Sequence, residues 1–112
     1  MATIKNLVID QGTTYSLTIT VYDAAGNALN LSGYTYRAQL RKSYGSTSYT
    51  EFTVTPAVDL TSGQITISLT STQTSGLRAG RYVYDVEIVE TATSSVTRVI
   101  EGIITVTPEV TR

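Results

Sequence analysis

Apolar and hydroxyl-bearing residues alternate with a period of two along most of this chain. Tyr15, Leu17, Ile19 and Val21 alternate with Ser16, Thr18 and Thr20, and Ile65, Ile67 and Leu69 alternate with Thr66 and Ser68. Side chains of a β-strand point to opposite faces in turn, so this pattern describes strands with one buried and one wet face, and it excludes helices as the main element. Thr suits such a surface because its branched Cβ packs well on a pleated sheet. Charged residues make up 15% of the chain, and Ser and Thr fill many of the polar positions instead.

The same alternation marks Tyr34–Leu40, with Arg37 and Arg41 on the polar face, and Tyr82–Ile88, with Asp85 and Glu87 on the polar face. Ile4–Ile9 reads as a first strand and Val96–Thr107 as a last one. Tyr49–Thr55 is a weaker strand that Pro56 ends or places on an edge. Turns fall at Asp23–Asn27, Ser32-Gly33, Thr61–Gly63 and Thr91–Ser95, where Gly, Asn, Asp and Ser supply turn chemistry. Lys42–Ser48 reads as a flexible loop, and Thr70–Arg78 as a loop or one short helical turn. Residues 1–112 then form a single domain: an all-β, immunoglobulin-like β-sandwich of about seven to eight antiparallel strands.

The last strand departs from simple alternation. Val99-Ile100-Glu101-Gly102-Ile103-Ile104 places apolar residues on both faces, and Val83 and Val89 lie on the face of the preceding strand opposite its tyrosines. Two readings stay open. A bulge near Gly102 would switch the phase and keep one face buried. Alternatively, the outer face of this hairpin is covered by another copy or another protein.

Residue types exclude several chemistries. The chain has no His and no Cys, so it has no imidazole base, thiolate nucleophile, disulfide, or His- or Cys-ligated metal. Asp85 and Glu87 could in principle act as paired carboxylates. Arg98 on the adjacent strand makes a cross-strand charge pair the stronger expectation. Asp23, Asn27 and Asn30 loosely resemble a calcium loop but lack its spacing and terminal Glu, so they read as a turn. No glycine-rich segment fits a phosphate loop. Neither a catalytic residue nor a cofactor is expected.

Net charge is -1 with scattered Lys and Arg, so neither nucleic acid nor an anionic membrane is an expected partner. The N-terminus does not read as a secretory signal, and no apolar run reaches the length of a membrane span. Of the eight tyrosines, Tyr15, Tyr34, Tyr36, Tyr82 and Tyr84 fall on the apolar phase of their strands, with hydroxyls expected to reach the surface. Tyr44 and Tyr49 lie in or beside the loop and are candidate contact anchors. With Val83, Val89, Val99 and Ile103 they make up the expected protein-contact set.

Several segments resemble a known group. Asp23-Ala24-Ala25-Gly26-Asn27-Ala28-Leu29-Asn30-Leu31-Ser32-Gly33-Tyr34 resembles a "D-x-x-G-N-x-x-D-L-S/T-G-Y" segment of small bacteriophage virion proteins, with Asn30 where Asp is common. Arg81–Ile88, Arg98–Gly102 and the ending Val106–Arg112 resemble the C-terminal half of the same group. The layout is also similar to the N-terminal immunoglobulin-like domain of phage upper baseplate proteins. The resemblance spans about Gly12 to Arg112. It implies a structural particle component, assembled in the host cytoplasm and located in the virion, whose partners are other virion proteins and copies of itself. A tail, baseplate or neck adaptor is the leading expectation. A capsid decoration (cement) protein is the first alternative, and a carbohydrate-binding module, disfavoured by the lack of Trp, the second.

Overall fold

The computed structural model describes residues 3–23 and 25–110. Met1, Ala2, Ala24, Thr111 and Arg112, which belong to the N-terminal, turn and C-terminal readings above, lie outside the described residues. In chain order the strands are β1 (Thr3–Ile4), β2 (Leu7–Asp10), β3 (Tyr15–Thr20), β4 (Tyr34–Arg41), β5 (Thr50–Glu51), β6 (Thr53–Pro56), β7 (Gln64–Leu69), β8 (Gly80–Glu90) and β9 (Ser95–Thr107). One short helix, α1 (Ser71–Ser75), joins β7 to β8.

Two sheets stack face to face. The larger has six strands in the order β1-β9-β8-β4-β5, with β2 also paired to β9; the smaller has the order β3-β7-β6. Counting along the chain as in immunoglobulin domains, β3, β7 and β6 occupy the places of B, E and D, and β4, β8 and β9 those of C, F and G. The fold is an immunoglobulin-like β-sandwich.

Two features differ from the sequence expectation. The first strand is split in two, and both pieces run parallel to β9 rather than antiparallel: Thr3 pairs with Ile100 and Leu7 with Ile104. The weak strand at 49–55 is also two strands. Gln39 pairs with Glu51 in the large sheet, whereas Thr53 pairs with Ser68 in the small one. Phe52, 3% exposed, sits at the crossing. Thr50, Phe52 and Val54 face the core and Glu51, Thr53 and Thr55 face out, so one alternating run serves both sheets.

The core lies between the inward phases. Ile9, Leu31, Leu40, Ile65, Ile67 and Ile104 are each 0–1% exposed. Burying a side chain of this size stabilises the fold by about 1.5–3 kcal/mol. Phe52 and Tyr84 pack edge to face with ring centroids 6.3 Å apart. The α1 turn has a capping box, in which Thr70 Oγ1 accepts from the Gln73 amide and Gln73 Oε1 accepts from the Thr70 amide. Its Thr74 is fully buried and donates to the Thr13 carbonyl at 2.7 Å.

The core tyrosines turn their hydroxyls to main-chain carbonyls, not to the surface as expected. Tyr82 donates to Arg78 at 2.7 Å, Tyr84 to Lys5 at 2.7 Å and Tyr36 to Leu31 at 3.2 Å. Tyr82, near the start of β8 and bonding four residues upstream, has the geometry of the immunoglobulin tyrosine corner. The residue two past that corner, a cysteine in antibody domains, is here Tyr84.

Gly102 explains the split edge strand. A Cβ built there would lie 2.1 Å from the Lys5 carbonyl oxygen. Without it, the chain between β1 and β2 dips towards the core and the Lys5 carbonyl meets the Tyr84 hydroxyl. The Lys5 amide donates to Glu101 O at 2.8 Å, and Asn6 Oδ1 accepts from the Ile103 amide at 3.1 Å.

Candidate contact surface

The outer face of the large sheet is set by β8 and β9. On β8 the outward residues are Arg81, Val83, Asp85, Glu87 and Val89, because Tyr82, Tyr84, Val86 and Ile88 are buried. In β9 the pairing with β8 shifts by one residue between Val86 and Glu87: Val86 pairs with Ile100, but Glu87 pairs with Arg98. Val99 is the extra residue. The bulge turns Val99 as well as Ile100, Ile104 and Val106 towards the core, whereas the inward positions before it are the exposed Ser95 and Thr97. Of the two readings of the last strand, the bulge is present, three residues before Gly102.

Val99 of the expected contact set does not share the outer face with the others: it turns inward, half-buried against the core. Val83, Val89 and Ile103 do face outward. Val83 pairs directly with Ile103, which is 41% exposed, and Val89 pairs with Val96, which is 47% exposed. Beside Ile103 lies Val8, 63% exposed, paired with Thr105 on the edge of the same face. On this face the exposed apolar side chains of β2, β8 and β9 form two rows, Val83–Ile103 with Val8, and Val89–Val96, and Ile4, 74% exposed, stands beside Glu101 at the β1 edge. Val8 and Val96 were missed from sequence because their facing depends on pairings that alternation does not specify.

A charged band separates the rows. Arg37 donates to Glu87 at 2.7 Å, and Arg98 reaches Asp85 at 3.2 Å and Glu101 at 3.7 Å. The expected Arg98 pairing holds for Asp85, whereas Glu87 takes its arginine from β4. Exposed pairs of this kind contribute about 0–1 kcal/mol each. Burial in the band, and then the neighbouring Glu87, push the Asp85 carboxyl above the usual carboxylate range. Each carboxylate here has an arginine partner. Among the described residues no group of three His, Cys, Asp or Glu is placed to hold a metal ion.

Tyr44 and Tyr49 separate. Tyr44, 80% exposed, rims a shallow depression of about 280 Å³ on the outer face, together with Arg41, Val83 and Asp85. Tyr49 lies under the Arg41 guanidinium, 4.8 Å from its ring centroid, and lines a different hollow with Leu77 and Tyr82. Arg41 also donates to the Ser46 carbonyl and to Gln39 Oε1, tying the 42–49 loop to β4.

The turn at Asp23 is closed locally. Asp23 Oδ1 accepts from the Ala25 and Asn27 amides, both at 3.0 Å. Asn30 Oδ1 caps the Ser32 amide at 3.0 Å, a bond a carboxylate at that position could also accept.

No protein-family model and no curated protein matches the sequence. Among solved structures, 83 chains match, and likeness of fold does not by itself specify an activity. One is the crystal structure of InlP from Listeria monocytogenes, at a TM-score of 0.51 and 17% identity, covering 95% of this chain and 28% of that one. The likeness is one of fold, and this chain spans little more than a quarter of that protein's length.

Proposed function

We propose that this chain is a non-catalytic structural subunit of a bacteriophage particle, a tail, baseplate or neck adaptor whose large-sheet face seats on another virion protein. The observation that carries the reading is the outward Val83–Ile103 pair with Val8 beside it, flanked by a self-paired charged band. An apolar centre bordered by polar groups is the usual anatomy of a protein interface. The Asp23–Tyr34 and Arg81–Gly102 resemblances supply the particle context.

The test is a double substitution on that pair, Val83→Asp with Ile103→Asp. Both side chains stand on the solvent side of the sheet, so the variant should keep the wild-type circular dichroism spectrum and a cooperative melt. Particles produced with it as the sole copy should lack the protein when their composition is measured by mass spectrometry. Incorporation at the wild-type level would refute the assignment of this face.

A further inference from the structure

The two sheets differ sharply in charge. β3, β6 and β7 together hold no Lys, Arg, Asp or Glu, and their outer face is built from Ser16, Thr18, Thr20, Gln64, Thr66, Ser68, Thr53 and Thr55. Free sheet edges normally carry charge, proline or a bulge, because exposed main-chain groups template pairing with another chain. Three of the four edges here are blunted. The β1–β2 edge is interrupted at Lys5-Asn6, and β5 is two residues long. On β6, the Ala57 amide bonds back to Gln64, so by alternation Val54 and Pro56 present their main chain to solvent, and Pro56 has no N–H to offer.

β3 has none of these protections. The Val21 amide donates to Gly63 at 2.7 Å, so residues 15, 17 and 19 also direct their main-chain groups to β7. Ser16, Thr18 and Thr20 turn theirs the other way, where no strand among the described residues pairs with them. The open side of the sandwich adjoins this edge as a groove lined by Ile19, Val21, Val99 and Ile100.

We propose that the occupant of this edge is β3 of a second copy, paired antiparallel about a two-fold axis through Thr18. Charge selects it: Ser16, Thr18 and Thr20 offer no ion-pair partner to the charged outward residues of another strand, whereas a second β3 sets only hydroxyls against them and carries no charge. Register selects it too. Residues directly opposite in an antiparallel pair share a face, so a centre on Thr18 sets Ser16 against Thr20 and Leu17 against Ile19 of the second copy. All three outward main-chain positions are then used, in about six hydrogen bonds. The proline on β6 disfavours a head-to-tail chain, so the assembly closes as an isologous dimer. This inference goes beyond the particle reading and does not rest on the Val83–Ile103 face.

Sedimentation equilibrium of the full chain should give twice the 12.1 kDa chain mass at tens of micromolar. Thr18→Lys places two ammonium groups face to face, and Thr18→Pro deletes the central donor. Each should weaken dimerisation by more than about tenfold with the monomer still folded by circular dichroism; if the proline variant fails to fold, the lysine variant carries the test. Register is read by cross-linking, since the native chain has no cysteine. Thr18→Cys places the two Cα atoms about 5.5 Å apart, within disulfide reach, and should oxidise to a covalent dimer, whereas Ser16→Cys should not. A wild-type monomer at these concentrations, a dimer unaffected by Thr18→Lys, or equal cross-linking at both positions would each overturn the pairing. So would a monomer that pairs only with an extended segment of a different protein. A monomeric result leaves the proposed contact face of β8 and β9 standing, because that face is tested by incorporation and not by self-association.

Discussion

Replacing Gly102 with alanine should detach the split edge strand. The added Cβ would start 2.1 Å from the Lys5 carbonyl oxygen and 2.8 Å from its carbon, with Asn6 Oδ1 at 3.1 Å. Two of these are backbone atoms with no rotamer to change, so the Lys5-Asn6 segment has to retreat by more than about 1 Å to reach ordinary contact. Three hydrogen bonds depend on its present position: Lys5 N–H to Glu101 O, Tyr84 O–H to Lys5 O, and Ile103 N–H to Asn6 Oδ1. At about 1 kcal/mol each, their loss comes to about 3 kcal/mol, and more if the buried Tyr84 hydroxyl is left without an acceptor. For a domain of this size that lowers Tm by about 10 °C or more. Urea titration gives the stability difference, and hydrogen exchange of the amides of Leu7–Asp10 shows whether the loss is local to the edge. Gly45→Ala is the matched control, since a Cβ there meets nothing within 4 Å. If Gly102→Ala unfolds within about 0.5 kcal/mol of the native chain, Gly102 does not hold the strand in place and this account of the edge is wrong.

Two further perturbations address the tyrosines. Tyr82→Phe removes the bond to the Arg78 carbonyl and should destabilise by about 1–1.5 kcal/mol in urea melts, with a change under about 0.3 kcal/mol arguing against a working tyrosine corner. Burial, and then the neighbouring Tyr15, push the Tyr84 hydroxyl from its ordinary 10.0 to about 12. The folded chain therefore holds this proton where the unfolded chain has released it, so the contribution is intact below pH 10 and is lost as pH rises from 10 towards 12. The loss should reach about 2 kcal/mol by about pH 11.5, and Tyr84→Phe should flatten that part of the slope, leaving the smaller share of Tyr15 and Tyr36, which burial also raises. An alkaline slope identical in Tyr84→Phe and the native chain would refute the assignment.

The sandwich was legible wherever a strand obeys one phase along its length. β3, β4, β7 and β8 follow from alternation alone because each keeps its odd or even residues on the core side. What failed was decided by pairings between distant segments. The facing of Val99 depends on the shift opposite Val86, so the sequence suggested a bulge near Gly102 but not that Val99 is the residue it turns inward. Gly102 drew notice as a glycine within a strand, but its reason lies in Lys5 at the other end of the chain. The parallel edge was invisible because alternation records which side chains are buried and nothing about strand direction. The division of 49–55 was hidden for a related reason: both sheets enclose the same core, so crossing from one to the other does not change the phase.

The two proposed surfaces are geometrically compatible, and their combination has a consequence neither has alone. A two-fold axis that joins β3 to β3 runs perpendicular to the small sheet, and rotation about such an axis leaves the sheet normal unchanged. The two small sheets would merge into one continuous sheet with a shared hydroxyl face on one side. Both large sheets would lie on the other side, turning their Val83–Ile103 rows in the same general direction apart from the twist between copies. A dimer of this kind presents two copies of the contact face to a single surface. The second engagement is then intramolecular, and its strength is set by effective concentration rather than by further apolar area. That arrangement fits the modest size of the exposed rows: a few valines and an isoleucine make a weak contact singly, and doubling them on a rigid sheet strengthens attachment without enlarging the apolar rows on either chain.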